Sequence, residues 1–177
     1  KQHIFFLGFM GSGKSHWGSA VAEKTHRQFT DLDMLIEEQE GKTIPDIFAE
    51  SGEAGFREVE KKHLHSLADF PPSIVATGGG TPCFFDNMEW MKEQGLTVYL
   101  KTPLEILLKR LKKGRDRRPL VKNLSESELF VFTQSLVRER EPFYLRADCT
   151  LEHAGDDATF LEQLLALIDR NTLPIDI

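Results

Sequence analysis

The chain has little of the chemistry that supports disulfide-stapled, zinc-binding or membrane-spanning folds. Its 177 residues include only two cysteines, Cys83 and Cys149, which lie far apart and form no CxxC pair. A disulfide framework or a zinc site is therefore not expected, and a reducing compartment fits this composition. The longest apolar runs, residues 4–7 and 164–168, are far too short to cross a bilayer.

The sequence also lacks an excess of basic charge. Its formal net charge is −6, from 28 acidic residues against 22 lysines and arginines. General nucleic-acid binders are expected to be basic, so we expect no nucleic-acid partner. The first residues carry no signal-peptide pattern, because residues 4–7 run directly into a glycine-rich loop. These features predict a cytoplasmic protein, and the length predicts a single domain over residues 1–177.

Short β-type segments alternate with longer helical patterns along the chain. The predicted strands are residues 3–7, 29–31, 73–77, 96–100 and 149–151. The predicted helices are residues 14–26, 34–39, 44–67, 85–94, 104–111, 125–145 and 158–168. This alternation predicts an α/β fold with a parallel sheet. The continuous apolar runs of the first and fourth strands indicate that both faces of the sheet are covered by helices.

Residues 8–15, GFMGSGKS, match the phosphate-binding pattern GxxxxGK[ST] in full, between a predicted strand and a predicted helix. The glycines let backbone N–H groups point at phosphate oxygens. Lys14 can reach the outer phosphates of a nucleotide, and the Ser15 hydroxyl can bind magnesium. The alternative is a glycine-rich turn that only joins strand to helix. The complete motif in this context predicts ATP and magnesium binding, but it does not identify the phosphate acceptor.

Two aspartates follow the second predicted strand. Asp31 and Asp33 are two residues apart, and such residues point the same way on a strand. Both carboxylates would then face the crevice at the carboxyl ends of the strands. One can help to hold magnesium while the other orients or deprotonates a hydroxyl group. The alternative is that Asp33 only caps the following helix.

An arginine and a glycine run offer further groups for an acceptor. Arg57 and Glu60 share a helix face. Arg57 can therefore fork onto a substrate carboxylate, or the two residues can form a solvated surface ion pair. The three consecutive glycines at residues 78–80 allow either close approach of a ligand to bare backbone or a permissive turn.

Basic residues are concentrated again in the last third of the chain. The segment 115–120, RDRRPL, can close over a transferred phosphate, or it can be an exposed basic loop. Arg140 lies in the long helix near Pro142, and we expect this proline to distort or end the helix.

Taken together, these motifs resemble the shikimate kinase family. The matching segments are GFMGSGKS at 8–15, DLD at 31–33, SGEAGFREVE at 51–60, TGGG at 77–80, RRPL at 117–120 and REREPFY at 138–144. They occur in the family's order over roughly the first four-fifths of the chain. The resemblance implies transfer of the γ-phosphate of ATP, with Mg²⁺, to the 3-hydroxyl of shikimate in aromatic amino-acid biosynthesis. It also implies a P-loop, nucleoside-monophosphate-kinase-like three-layer fold with a five-stranded parallel sheet.

The resemblance also assigns residues by position. The catalytic residues would be Lys14, Asp33 and Arg118. Shikimate would be bound by Asp33, Arg57, Gly79, Gly80 and Arg140, and residues near 31–61 would form a substrate-binding region. The two arginines would engage its carboxylate, and Asp33 would meet its hydroxyls and could act as the base. The nucleotide would contact Gly11, Ser12, Gly13, Lys14, Ser15 and His16, with Arg110 beside the adenine and Arg118 reaching ATP from a lid near residues 112–124. Magnesium would be held by Ser15 and Asp31.

Two features depart from the family pattern. His16 stands where the family usually has a small hydroxyl residue, and residues 151–157 lack the usual adenine-loop proline, so no residue there is assigned to adenine. One rival function is a related small-molecule kinase such as a gluconate kinase, which would not be expected to carry the SGExxFR run. The other is a regulatory module that binds ATP without transferring phosphate. Such a module would not need to keep its catalytic residues. Small kinases of this kind often work alone, so a monomer is expected.

Overall fold

The strands of the described residues form one parallel sheet. The computed structural model describes residues 2–114, 121, 123–153 and 156–172. The strands are β1 (His3–Leu7), β2 (Gln28–Asp31), β3 (Ser73–Ala76), β4 (Gly95–Lys101) and β5 (Cys149–Glu152). Their order across the sheet is β2-β3-β1-β4-β5, and every neighbouring pair is parallel. The prediction of a five-stranded parallel sheet is confirmed.

Helices separate the strands along the chain. They are α1 (Lys14–Thr25), α2 (Leu32–Glu40), α3 (Ile44–Ser66), α4 (Asn87–Gln94), α5 (Leu104–Lys113), α6 (Glu126–Tyr144) and α7 (Asp157–Thr172). Gly52 interrupts α3 with a φ of 67°, a left-handed conformation that glycine adopts without steric cost. This interruption separates the first turns of α3 from the segment that carries Arg57. Among the described helices, none combines the length and the apolar character needed to cross a membrane.

Both faces of the sheet are buried under helices. Ile4 and Phe6 of β1 pack into a cluster on one face with residues of α1 and α7. Phe5 and Leu7 point to the opposite face and pack with residues of α2, α3 and α4. This division follows from the strand geometry, because successive side chains alternate between the two faces. The continuous apolar run in β1 therefore results from burial on both faces of the sheet, as the sequence predicts.

The seven predicted helices are present, and their ends differ from the prediction by up to four residues. The helix predicted to begin at residue 85 begins at Asn87, because Phe85 has a left-handed φ of 52° that a helix cannot start from. α2 begins at Leu32, two residues early, because the Asp31 side chain caps it. α6 ends at Tyr144, one residue before the predicted end; Pro142 lies in its final turn, where the missing N–H removes one bond without stopping the helix.

The order of the strands fixes the order of the segments that follow them. β2 ends at Asp31, β3 leads into the glycine run at residues 78–80, and β1 leads into the loop at residues 8–15. These three strands are neighbours in the sheet, so three segments that are distant in sequence meet at one edge. Ligands of open α/β sheets bind at this carboxyl edge.

Candidate active site

The loop between β1 and α1 depends on three glycines with positive φ. Gly8, Gly11 and Gly13 have φ values of 143°, 84° and 93°, which residues with a Cβ rarely adopt. Gly13 is the N-cap of α1, and no side chain of a described residue caps the helix there. The N–H groups of the first turn are therefore available to an anion, and the positive end of the helix dipole favours one.

Lys14 and Ser12 brace this loop from inside. The buried Lys14 ammonium donates to the carbonyl oxygens of Gly8 at 2.8 Å and Phe9 at 3.1 Å. The Ser12 N–H donates to the Phe9 carbonyl oxygen at 3.1 Å, so it closes the turn of the loop. The hydroxyl of Thr102, just beyond β4, donates to the Ser12 carbonyl oxygen at 3.4 Å. These contacts hold the loop open in a phosphate-binding shape.

Ser15 and Asp31 form the pair that the sequence assigns to magnesium. The Ser15 hydroxyl donates to Asp31 Oδ2 at 2.5 Å, while Asp31 Oδ1 accepts the N–H groups of Asp33 at 3.1 Å and Met34 at 3.4 Å. The helix cap is therefore Asp31, and the alternative that assigned the cap to Asp33 is wrong. The described residues contain no group of three or more His, Cys, Asp or Glu side chains placed to hold a metal. A hydroxyl and one carboxylate suit Mg²⁺, which usually keeps several waters and binds substrate phosphates.

Asp33 has a perturbed carboxyl group. Its pKa is raised from 3.8 to about 6, chiefly because surrounding protein shields the carboxyl from solvent, although the residue as a whole opens onto the cleft. The negative charges of Asp31 and Glu60 raise the pKa further, whereas the Lys14 charge lowers it. A carboxyl group of this kind is ionised at neutral pH and remains basic enough to accept a proton.

Two cavities of similar size meet at Asp33. The first, of about 530 Å³, lies over the phosphate loop, and the second, of about 520 Å³, is lined by residues of α2, α3 and α6. Both are lined by Met10, Asp33, Gly78 and Gly79. A ligand in one cavity would therefore lie next to a ligand in the other, with Asp33 at the junction.

Arg57 lies in the wall of the second cavity. It is 7% exposed and Glu60 is 0% exposed, so the alternative of a solvated surface pair is wrong. Arg57 Nη1 lies 2.8 Å from Glu60 Oε2, and Nη2 lies 3.1 Å from Glu53 Oε1. A guanidinium has five N–H donors, and the Nε of Arg57 is buried with no hydrogen-bond partner among the described residues. Donors therefore remain for an anionic ligand.

The Arg57 guanidinium packs directly on the backbone of the glycine run. A Cβ placed on Gly80 would lie 2.5 Å from Nη2 and 2.8 Å from Cζ of Arg57. The guanidinium also has a ring neighbour, since its Cζ lies 4.2 Å from the centroid of Phe84. The second oxygen of Glu60 accepts the Thr81 hydroxyl at 2.6 Å. A side chain at position 80 would therefore displace the Arg57 guanidinium.

Helix α6 places a second arginine on the same cavity. Arg140 is 9% exposed and lines the second cavity together with Arg57. Its Nη1 lies 3.5 Å from the position that a Cβ would take on Gly79. Much of the remaining wall is apolar and is formed by Met10, Met34, Ile44, Pro45, Phe48 and Phe56. Two buried guanidinium groups beside an apolar wall suit a small ligand that carries one carboxylate.

The first cavity also extends to residues of α1, α5 and α7. It is lined by His16, Trp17, Arg110 and Asp157. Arg110 Nη1 donates to the Gly11 carbonyl oxygen at 3.0 Å, which places the guanidinium beside the loop. The ring centroids of His16 and Trp17 are 4.7 Å apart. Sequence reasoning missed Trp17 and Asp157; for Trp17, its place in the first turn after the loop motif was an available signal.

Arg118 and residues 115–120 of the predicted lid lie outside the described residues. The described flanks of this segment are well anchored. Leu111 and Val121 are both fully buried in one apolar cluster, which we call the lid-base cluster. Its members are Phe9, Tyr99, Leu107, Leu111, Val121, Leu129 and Tyr144.

The chain is similar in sequence to shikimate kinases over almost its whole length. A family model described as "Shikimate kinase" matches residues 10–169. The shikimate kinase of Phocaeicola vulgatus is 47% identical over 166 residues, which cover 94% of each chain. The range matched by the family model contains Asp33, Arg57 and Arg140.

Solved structures agree with the sequence matches. The shikimate kinase of Bacteroides thetaiotaomicron superposes with a TM-score of 0.90 at 38% identity, covering 95% of this chain and 98% of that chain. The shikimate kinase of Acinetobacter baumannii, solved in complex with shikimate, gives a TM-score of 0.87 at 36% identity, covering 97% of this chain and 95% of that chain. On the fold, the cavities and these matches together, the chain belongs to the shikimate kinase family.

Proposed function

We propose that this chain transfers the γ-phosphate of ATP to the 3-hydroxyl of shikimate, giving shikimate 3-phosphate and ADP, within aromatic amino-acid biosynthesis. The observation that carries the proposal is the meeting of two cavities at Asp33. One cavity offers a phosphate loop, and the other offers two buried arginines. Phosphoryl transfer depends mainly on holding donor and acceptor side by side, and this arrangement supports that requirement.

In the donor half, the first turn of α1 and Lys14 hold the phosphates. The Lys14 ammonium already lies inside the loop, so a short movement would exchange its bonds to loop carbonyls for bonds to the outer phosphates. Ser15 and Asp31 are the residues that would hold Mg²⁺. When bound, the ion supplies positive charge against the phosphate oxygens. Arg110 beside the loop would flank the adenine, and Arg118 would reach ATP from the lid.

In the acceptor half, Arg57 and Arg140 engage the shikimate carboxylate. Both side chains are buried, and both line the second cavity. Forked hydrogen bonds from guanidinium groups to a carboxylate give orientation as well as affinity. The backbone of Gly79 and Gly80 forms the adjoining wall, where the lack of side chains lets the ring of the acceptor approach closely.

Asp33 at the junction binds the reacting hydroxyl and accepts its proton. A bond forms between the 3-oxygen and the γ-phosphorus, and the bond from that phosphorus to the β–γ bridging oxygen breaks. The hydroxyl proton passes to the Asp33 carboxylate. The raised pKa of Asp33, about 6, supports this role because the group is ionised at pH 7 yet basic enough to take the proton.

A coupled assay of ADP release tests the proposal with shikimate, quinate and gluconate as acceptors. We expect turnover with shikimate that far exceeds turnover with gluconate. Lys14→Met should abolish turnover of shikimate. Lys24 is an exposed lysine at the other end of α1, so Lys24→Met should leave this turnover unchanged. Turnover with gluconate alone would indicate a different kinase, and ATP binding without turnover of any acceptor would indicate a regulatory module.

We also propose that the enzyme acts as a cytoplasmic monomer without a nucleic-acid partner. The net charge of −6 supports the last point, and two free cysteines fit a reducing compartment. Light scattering coupled to gel filtration should give a mass near 20.2 kDa, and a mass twice as large would contradict a monomer.

A further inference from the structure

Tyr144 connects the end of α6 to the glycine run. It is the last residue of α6 and is 0% exposed. Its hydroxyl donates to the Gly79 carbonyl oxygen at 2.6 Å, across 65 residues of sequence. Burial raises the pKa of this hydroxyl well above its usual value, so it keeps its proton and remains a donor at neutral pH.

Helix α6 therefore contacts Gly79 at two points. Arg140 lies beside Gly79, with Nη1 3.5 Å from the position of an added Cβ. Tyr144 binds the carbonyl of the same residue from one turn further along the helix. Residues four apart share a helix face, so the arginine of the acceptor cavity and the tyrosine hydroxyl form one unit that holds Gly79.

The ring of Tyr144 is fixed by the lid-base cluster. Tyr99 lies beside it, with ring centroids 5.1 Å apart. The cluster also contains Leu111 and Val121, the buried residues on either side of the segment 115–120. The ring position is therefore set by packing, and the hydroxyl is presented to Gly79 from a rigid base.

We propose that Tyr144 is a positioning residue that orients the Gly79–Gly80 peptide toward the acceptor. The carbonyl of Gly79 and the N–H of Gly80 belong to one planar, trans peptide unit, so fixing the carbonyl oxygen also fixes the direction of the N–H. Without the hydroxyl, glycines at these positions have many accessible conformations. The inference rests on the proposed function, because it assigns this peptide to the shikimate side of the site.

Comparing Tyr144→Phe with Tyr99→Phe tests the proposal. Both variants remove one buried hydroxyl from the same cluster and keep the ring, but the Tyr99 hydroxyl bonds Glu141 instead of the glycine run. We expect Tyr144→Phe to raise the KM and the calorimetric Kd for shikimate about tenfold, the effect of one lost hydrogen bond. The KM for ATP should stay within about twofold, and Tyr99→Phe should leave both KM values near wild type.

Melting temperatures measured on both variants separate folding from positioning. Comparable losses of Tm, with the shikimate effect confined to Tyr144→Phe, support the proposal. It is overturned if Tyr144→Phe binds shikimate as wild type does, or if Tyr99→Phe weakens shikimate binding equally. A wild-type enzyme that does not use shikimate would instead contradict the proposed function, so the two failures are distinguishable.

Discussion

Replacing Gly80 with alanine would insert a methyl group under the Arg57 guanidinium. Gly80 has φ −93° and ψ −17°, which other residues also adopt, so alanine adds no backbone strain there. The new Cβ would lie 2.5 Å from Nη2 and 2.7 Å from Nη1 of Arg57. Unstrained contacts lie at about 3.5 Å, so the guanidinium has to move by about 1 Å.

This displacement should affect binding more than folding. Overpacking of a buried site costs about 1–3 kcal/mol, and each kcal/mol lowers the Tm of a chain of this size by about 2–4 °C. A misplacement of about 1 Å can reduce catalysis about a hundredfold. We therefore expect kcat/KM for shikimate to fall about 30- to 100-fold, mainly through KM, while the KM for ATP changes less than about twofold.

Steady-state kinetics with each substrate varied, together with thermal melts, measure both effects. Gly41→Ala is the matched control, because Gly41 has a φ of 65° and no atom lies within 4 Å of an added Cβ. It should cost about 1–2 kcal/mol of stability through left-handed backbone strain, with unchanged shikimate KM. A Gly80→Ala enzyme with wild-type shikimate kinetics would refute the packing of Arg57 on this peptide, as would an equal rise in KM for Gly41→Ala.

Asp33→Asn should lower kcat by a factor of about 10² to 10⁴, because the group that accepts the proton is lost. It should also change stability with pH. The pKa of Asp33 in the folded state, about 6, exceeds its usual 3.8, so its stabilising contribution is complete below about 4 and is lost as the pH rises through 6. Asp33→Asn should therefore melt at a higher temperature than wild type at pH 8 but at nearly the same temperature at pH 4; a difference independent of pH would contradict the burial of this carboxyl. Ser15→Ala should raise the magnesium concentration for half-maximal rate about tenfold or more. Ser19 is an exposed serine of the same helix, so Ser19→Ala should not change this concentration. Equal magnesium dependence in both variants would show that Ser15 does not bind the metal.

The features that sequence could predict are those encoded by neighbouring residues. The loop at residues 8–15 was recognisable because its glycines, Lys14 and Ser15 act within one turn of chain. The strands β1 and β4 were recognisable because burial on both faces leaves an unbroken apolar run. Their assembly into one parallel sheet followed from the alternation of strands and helices.

The features that sequence could not settle depend on contacts between distant segments. Residues near Arg57 do not show whether it lies on the surface, because its burial comes from Gly80 and Phe84 across the site. The choice between Asp31 and Asp33 as helix cap was decided by a shift of two residues in the start of α2. The bond from Tyr144 to Gly79 has no local signature at all.

The surroundings of His16 and of residues 151–157 also could not be predicted from the motifs. His16 and residues 151–157 were identified as departures from the family pattern, but their consequences depend on packing. The structure places His16 against Trp17, and it places Asp157 on the wall of the same cavity.

The proposed function requires that the enzyme joins the γ-phosphate of ATP to the 3-hydroxyl of shikimate. The most direct measurement is phosphorus–proton correlated NMR of the product made by the wild-type enzyme from ATP and shikimate. We predict a single phosphoester whose phosphorus couples to the proton on carbon 3, with ADP formed in equal amount. Phosphate on another hydroxyl, or ADP released with free phosphate and unmodified shikimate, would contradict it.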